Sequence, residues 1–178
     1  MRANPISARM IPSIFTLANL LCGFLAIVLV IEESYSLAAA MVLLSVLMDS
    51  LDGKVARRLS VSSDFGKELD SLSDLVSFGV APAILTYQSI LSSQTETIRY
   101  AGLGIAAIFA LCGAVRLARF NILNISTYFI GVPITFAGGF MALLMFFRNV
   151  LPWQVYFVSM IILAFLMVST FKVAKLGK

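Results

Sequence analysis

The stretch MDSLDGKVARRLSVSSDFGKELDSLSD, residues 48–74, carries six of the nine acidic residues in this chain of 178 residues. It joins two apolar runs, residues 37–51 and 72–91, so its carboxylates stand at the ends of hydrophobic segments. Acidic side chains are costly at the edge of a hydrocarbon phase, and they tend to mark functional sites there. The stretch therefore predicts two apolar helices and a polar site where they meet.

The spacing of the acidic and small residues predicts how these two helices face each other. Residues three or four positions apart lie on one side of an α-helix. One such face consists of Asp49, Asp52, Gly53 and Ala56, and the next of Gly66, Asp70 and Asp74. Residues 58–65 can turn the chain between them, so we expect antiparallel neighbours whose four carboxylates converge.

Four converging carboxylates predict a metal centre. Clustered carboxylates either shift their pKa values or bind cations. Hard oxygen ligands suit Mg²⁺, Mn²⁺ or Ca²⁺, and two such ions form the usual clamp for phosphoryl chemistry. Gly53 and Ala56 leave room for a bulky phosphate, and the guanidinium of Arg57 matches phosphate oxygens. A cap or an ion pair explains any one aspartate, but the whole pattern favours a metal–diphosphate pocket.

The rest of the chain has the composition of a membrane protein. Hydrophobic residues make up 60% and charged residues 12%, against about 25% charged in soluble domains. We predict an all-α, polytopic membrane protein with six transmembrane helices, forming a single domain over residues 1–178. The six apolar segments are residues 11–31, 37–51, 72–91, 98–115, 129–147 and 153–170. The second helix is expected to continue through Asp49 to Leu59.

The basic residues predict the orientation. All lysines and arginines except Arg99 and Arg148 fall on one side of the six segments. Lys and Arg prefer the cytoplasmic side, so we expect a plasma-membrane protein with both termini and the site in the cytoplasm. The positive side faces anionic lipids and phosphorylated substrates, and no nucleic-acid partner is expected. The chain has no histidine, which excludes histidine-based acid catalysis and a phosphohistidine intermediate.

The acidic stretch resembles the signature of the CDP-alcohol phosphotransferases, D-x2-D-G-x2-A-R-x8-G-x3-D-x3-D. The matching residues are Asp49, Asp52, Gly53, Ala56, Arg57, Gly66, Asp70 and Asp74. The resemblance implies that the four aspartates hold two divalent cations, Mg²⁺ or Mn²⁺ with Ca²⁺ as an occupant. It also implies that Asp74 is the general base. Gly53, Ala56, Arg57 and Gly66 would bind the CDP-lipid, from which an alcohol displaces CMP.

Other segments resemble the phosphatidylserine synthase branch of that family. They are residues 11–23, 70–83, 116–122 and 131–139, although Ser13 stands where the branch commonly has Asn. The resemblance implies L-serine as acceptor, CDP-diacylglycerol or CDP-archaeol as donor, and membrane lipids as surroundings. The phosphatidyl or archaetidyl group would pass directly to the serine hydroxyl.

Several polar residues are candidates for holding the acceptor or for packing helices. Arg116 and Arg119 end the fourth segment one helical turn apart, with Asn121 beyond them. These three can bind serine or a lipid phosphate, and the arginines can equally be membrane anchors. Thr16 and Asn19 share one face of the first segment, from which they can reach the nucleotide or a neighbouring helix.

The sequence leaves two alternative functions and the oligomeric state open. One is another acceptor within the family, as in phosphatidylglycerophosphate synthase or the inositol-type branches. The second is a cation transporter or channel, since buried aspartates also mark ion pathways. That class spreads its carboxylates through the bilayer, whereas here they crowd at one interface beside Arg57. The oligomeric state is also open, and a homodimer is possible because Gly138 and Gly139 can let helices pack closely.

Overall fold

A computed structural model describes residues 5–59, 64–123, 129–169 and 172–173, with side chains for residues 14–54, 64–122 and 131–169. It begins with two long helices, α1 (Pro5–Ile31) and α2 (Tyr35–Leu59). The turn between them places Glu33 at a φ of 57°, and Ser34 N donates to Leu29 O at 2.8 Å. Helices α1 and α2 therefore pack side by side, and the predicted continuation of the second helix to Leu59 is confirmed.

The third long helical stretch is continuous from Asp64 to Leu91 but alternates between α-helical and π-helical segments. Helix α3 (Asp64–Asp74) passes into a π-helical segment (Leu75–Val80), then into α4 (Ala81–Thr86) and a second π-helical segment (Tyr87–Leu91). Wide π-turns are rare and occur frequently at functional sites. The first of them begins directly after Asp74.

Three further helices complete the described bundle. Helix α5 covers Glu96–Leu123, α6 covers Ile134–Leu144 with a 3₁₀ turn at Met145–Phe147, and α7 covers Trp153–Val168. The fifth apolar segment, residues 129–147, is helical only from residue 134 onward. Pro133 caps α6 with an extended ψ of 141°, so the helix begins at Ile134.

The residues before α6 instead form a short antiparallel ladder. Strand β1 (Phe129–Ile130) pairs with β2 (Lys172–Val173), which follows α7. Gly131 then turns at a φ of 69°, and a Cβ there would lie 2.7 Å from Leu166 O. Glycine is the residue that adopts this conformation without steric cost. The ladder and this turn tie the start of α6 to the end of α7.

Among the described residues, four helical stretches are long and apolar enough to cross a membrane. They are Ile14–Ile31, Tyr35–Lys54, Asp64–Leu91 and Glu96–Ile122, and two shorter apolar helices follow at Ile134–Phe147 and Trp153–Val168. Large apolar side chains point outward, and Leu17, Leu21 and Phe24 on α1 are each more than half exposed. An outward apolar face is what lipid requires. The chain is therefore an α-helical, polytopic membrane protein.

Close contacts between helices fix the first π-helical segment in the centre of the bundle. A Cβ at Gly138 on α6 would lie 2.6 Å from Phe78 Cα, and one at Gly23 on α1 would lie 2.8 Å from Ser77 Cα. Ser77 and Phe78 are fully buried. Small residues thus let two helices approach the backbone immediately beyond Asp74.

Candidate active site

Three carboxylates from two helices meet at one end of the bundle. Asp49 projects from α2, and Asp70 and Asp74 project from α3. One oxygen of each lies within 4.8 Å of the other two. Asp74 is buried, and Asp49 and Asp70 are half-buried. Like charges this close are unstable unless a cation or a proton compensates them, and an all-oxygen set of this kind fits a hard divalent cation. We call these three residues the aspartate triad.

Asp52, the fourth predicted carboxylate, turns away from this triad. Residues three apart on an α-helix differ in direction by about 60°, whereas residues four apart differ by about 40°. Asp52 therefore faces α1, where the Thr16 hydroxyl donates a hydrogen bond to its Oδ2 atom. It stays close enough to interact electrostatically with Asp49 and Asp70. The structure thus brings together three of the four aspartates and keeps the fourth beside them.

Two partners of the aspartates come from distant parts of the chain. Asn19 on α1 donates a hydrogen bond from Nδ2 to Oδ1 of Asp74 at 3.0 Å. Thr135, in the first turn of α6, hydrogen-bonds Asp49. The sequence placed Asn19 on the same face as Thr16 but gave Thr135 no role. Helix periodicity alone does not say which helix packs against α2. The resemblance of residues 131–139 to the synthase branch pointed to this segment but not to Thr135 itself.

A cavity of about 480 Å³ opens beside Asp70 and Asp74. Arg116 and Asn121 on α5 and Thr135 on α6 line it as well. The cavity therefore joins acidic, basic and neutral polar groups, and this mixture suits a ligand with charges of both signs.

Two of the described basic residues line this cavity, Lys67, which pairs with Asp64, and Arg116. Arg116 is the one beside Asp74. Its side chain is half-buried and interacts electrostatically with Asp74. Its Nε atom is buried with no hydrogen-bond partner among the described residues. A buried guanidinium N–H without an acceptor is uncommon, and it is available for an anionic ligand.

The other two predicted acceptor contacts lie in different surroundings. Arg119 is exposed, and its Nη1 atom donates to Val168 O at the end of α7, at 2.9 Å. It does not line the cavity. Asn121 does line it, and its Nδ2 atom donates to Ser71 Oγ at 3.0 Å and to Glu68 Oε1 at 3.4 Å. The structure thus separates the two arginines, with Arg116 inside the cavity and Arg119 outside it.

The predicted nucleotide-binding residues lie on the two helices that carry the triad. Gly53 is exposed on α2, one position after Asp52, and Gly66 is half-buried on α3, one turn before Asp70. Ala56 and Arg57 belong to α2, but their side chains lie outside the part of the chain that the structure describes.

Comparison with known proteins links this geometry to one family. Residues 9–171 match the profile of the CDP-alcohol phosphatidyltransferase family. The CDP-diacylglycerol–serine O-phosphatidyltransferase of Methanocaldococcus jannaschii is 44% identical over 160 residues, which cover 90% of this chain and 71% of that protein. The Bacillus subtilis protein of the same name is 39% identical over 140 residues, covering 78% and 77%. The archaetidylserine synthase of Methanothermobacter thermautotrophicus is 44% identical over 131 residues, covering 71% and 54%.

Proposed function

The chain belongs to the CDP-alcohol phosphatidyltransferase family, and we propose that it transfers a phosphatidyl or archaetidyl group from a CDP-linked lipid to the hydroxyl of L-serine, releasing CMP. The observation that carries the proposal is the convergence of Asp49, Asp70 and Asp74 beside a cavity that also holds Arg116. Serine as the acceptor is supported by the names of the similar proteins from M. jannaschii and B. subtilis.

The aspartate triad and Asp52 are proposed to hold two divalent cations, Mg²⁺ or Mn²⁺, with Ca²⁺ as an alternative occupant. The all-oxygen donor set and the mutual approach of the triad fit such ions. When bound, these ions would neutralise the diphosphate and stabilise the charge that develops on the leaving CMP.

The donor is proposed to lie along the face of α2 that carries the signature residues. Gly53 and Gly66 have no side chain beyond Cα, so the diphosphate can approach the backbone of α2 and α3. Ala56 presents only a methyl group, and Arg57 offers two parallel N–H donors to phosphate oxygens. The donor lipid is either CDP-diacylglycerol or CDP-archaeol.

The chemical step is a direct displacement at the phosphorus that carries the lipid. The serine hydroxyl oxygen forms a bond to this phosphorus, and the bond between it and the oxygen bridging to CMP breaks. The hydroxyl proton passes to the carboxylate of Asp74, and CMP leaves with the electron pair of the broken bond. Asp74 suits this role because it lies in the triad and also lines the cavity. Since the chain has no histidine, transfer in a ternary complex is favoured over a phosphohistidine intermediate.

The acceptor is proposed to occupy the cavity beside Asp74. Serine carries both a carboxylate and an ammonium group, so its site needs charges of both signs. The guanidinium of Arg116, with its unpartnered Nε, suits the carboxylate of serine, and Asn121 can supply further polar contacts. Because Arg119 is bonded to Val168 O outside the cavity, its contact to a lipid phosphate stays a prediction from the sequence.

The membrane arrangement is part of the same proposal. The two shorter apolar helices, Ile134–Phe147 and Trp153–Val168, are proposed to complete six transmembrane helices in one domain. The distribution of basic residues supports a cytoplasmic site and cytoplasmic termini in the plasma membrane. A homodimer stays a prediction from the small residues of α6.

An acceptor screen tests this proposal. Purified protein receives CDP-lipid and Mn²⁺ with serine, glycerol 3-phosphate or inositol phosphate, and released CMP and lipid products are measured. Of the three acceptors, we expect only serine to cause CMP release. Preference for glycerol 3-phosphate would indicate another branch of the family, and no CMP release with any of the three acceptors would contradict the proposal.

A further inference from the structure

We propose that Asn19 is a positioning residue that holds Asp74 in the orientation required by the aspartate triad. The inference rests on the proposed metal-binding role of that triad. It concerns α1, a helix that carries none of the signature residues and still contacts the site.

The bond between Asn19 and Asp74 is buried and specific. Asn19 is fully buried, and its Nδ2 atom lies 3.0 Å from Oδ1 of Asp74. The amide nitrogen must face the carboxylate, because two oxygens at this distance would repel each other. One oxygen of Asp74 is thus held by α1, and the other is left for the site.

The amide of Asn19 is kept at a cost to the fold. Its Oδ1 atom is buried and has no hydrogen-bond partner among the described residues. A buried polar atom without a partner is destabilising, and an apolar residue of similar shape would avoid this cost. Within the described part of the chain the side chain of Asn19 bonds Asp74 alone, so we infer that this bond is the reason for an asparagine here.

The backbone at Asn19 is fixed by the π-helical segment beyond Asp74. Ser77 Oγ donates to Asn19 O at 2.9 Å. Gly23, one turn further along α1, lets the helix approach Ser77 closely, where a larger residue would clash. The two helices are therefore held at a fixed distance on the C-terminal side of Asp74, and Asn19 reaches its carboxylate from a rigid support.

Thr16 makes the corresponding contact to Asp52. Thr16 and Asn19 are three residues apart and share one face of α1. Through this face, α1 contacts aspartates on both α2 and α3. Since Asp74 is repelled by Asp49 and Asp70, loss of the Asn19 bond should let its carboxylate rotate away from the triad.

Mn²⁺ binding to the purified full-length chain, without CDP-lipid or serine, tests this inference. Free Mn²⁺ is measured by electron paramagnetic resonance for wild type, Asn19→Leu, Asp74→Asn and the double variant. Leucine keeps the branching of asparagine and removes both polar atoms. We expect Asn19→Leu to weaken Mn²⁺ binding about 10-fold or more, as loss of a group that orients a metal ligand usually does. The midpoint of thermal unfolding is measured on the same variants to verify that each is folded, since leucine removes one unpartnered buried oxygen but also leaves Oδ1 of Asp74 without its donor.

The double variant separates positioning from general damage. If Asn19 acts through Asp74, adding Asn19→Leu to Asp74→Asn should change Mn²⁺ affinity by less than about 2-fold. Ser45→Ala is the control, because Ser45 is buried on α2 and bonds Val42 O of its own helix. It should bind Mn²⁺ like wild type. Asn19→Ala provides the same comparison if the leucine variant does not fold.

Two results would overturn the inference: wild-type Mn²⁺ affinity in both Asn19 variants, or fully additive losses in the double variant. A wild-type chain that binds no Mn²⁺ would instead overturn the metal centre on which the inference rests. A different acceptor in the enzyme assay would leave this binding experiment unaffected, so failure of the serine assignment is distinguishable from failure of the positioning role.

Discussion

Asp49 on α2 and Asp74 on α3 offer carboxylate oxygens that lie within 4.8 Å of each other, with Asp70 completing the group. Helix α1 packs against both α2 and α3, and each of the two carboxylates has a second support. Thr135 supports Asp49 from α6, and Asn19 supports Asp74 from α1. The triad and its two supports therefore come from four helices, α1, α2, α3 and α6, and α5 adds Arg116 and Asn121 to the cavity beside them.

Asp74→Asn should separate catalysis from binding. The amide keeps the size of the side chain and one oxygen ligand but cannot accept the serine proton. We expect turnover to fall by about 100-fold or more, as loss of a general base usually causes, while affinity for CDP-lipid is largely kept. All three triad variants should weaken metal binding, but we expect only Asp49→Asn and Asp70→Asn to weaken nucleotide binding as well.

Turnover and nucleotide affinity are measured on the same purified variants. Glu96→Gln is the control, since Glu96 is exposed at the end of α5 opposite Arg116 and pairs with Arg99 at 3.7 Å, and it should behave like wild type. Turnover of serine by Asp74→Asn near the wild-type rate would refute the assignment of Asp74 as the base.

Arg57→Lys should impair the enzyme even though the positive charge is retained. A lysine ammonium is a point charge and cannot reproduce the two parallel hydrogen bonds of a guanidinium to phosphate oxygens. We expect KM for CDP-lipid to rise about 10-fold, which corresponds to the loss of one charge-assisted hydrogen bond. Steady-state kinetics with varied CDP-lipid measure this, and unchanged kinetics would count against a contact between Arg57 and the diphosphate.

The local part of the site was predictable from the sequence, and the long-range part was not. The spacing of Asp70 and Asp74 places them on one face of α3 because helix periodicity is a local rule. The same rule placed Asp52 on one face with Asp49, but it could not show that the hydrogen-bond partner of Asp52 is Thr16. The contact of Thr135 depends on which helix packs against α2, and the ladder between Phe129–Ile130 and Lys172–Val173 has no signal in hydropathy.

Arg116→Lys should act on the acceptor and leave the donor unaffected. A lysine cannot offer the carboxylate of serine the planar pair of donors that arginine offers. We expect KM for serine to rise about 10-fold and KM for CDP-lipid to stay the same. Arg99→Lys is the control, since Arg99 lies at the opposite end of α5 and pairs with Glu96 at 3.7 Å. A rise in both constants would assign Arg116 to the donor phosphate instead.

Cysteine labelling should reveal which side of the membrane carries the site. In a background with Cys22 and Cys112 changed to alanine, Ser62→Cys is introduced between α2 and α3, and Ser93→Cys between Leu91 and α5. We expect a membrane-impermeant maleimide to label position 93 in intact cells and position 62 only in inverted vesicles. The reverse pattern would place the site outside the cell.

The measurement that tests the account most directly is the formation of CMP and of the serine lipid in one assay with controlled metal. Purified protein, CDP-lipid and serine are treated with excess EDTA and then resupplied with Mg²⁺ or Mn²⁺. If the aspartate triad holds the catalytic ions, EDTA abolishes the formation of both products. Adding Mg²⁺ or Mn²⁺ then restores CMP and the serine lipid, one molecule of each per turnover. Full turnover in excess EDTA, or CMP release without a serine lipid, would contradict the account.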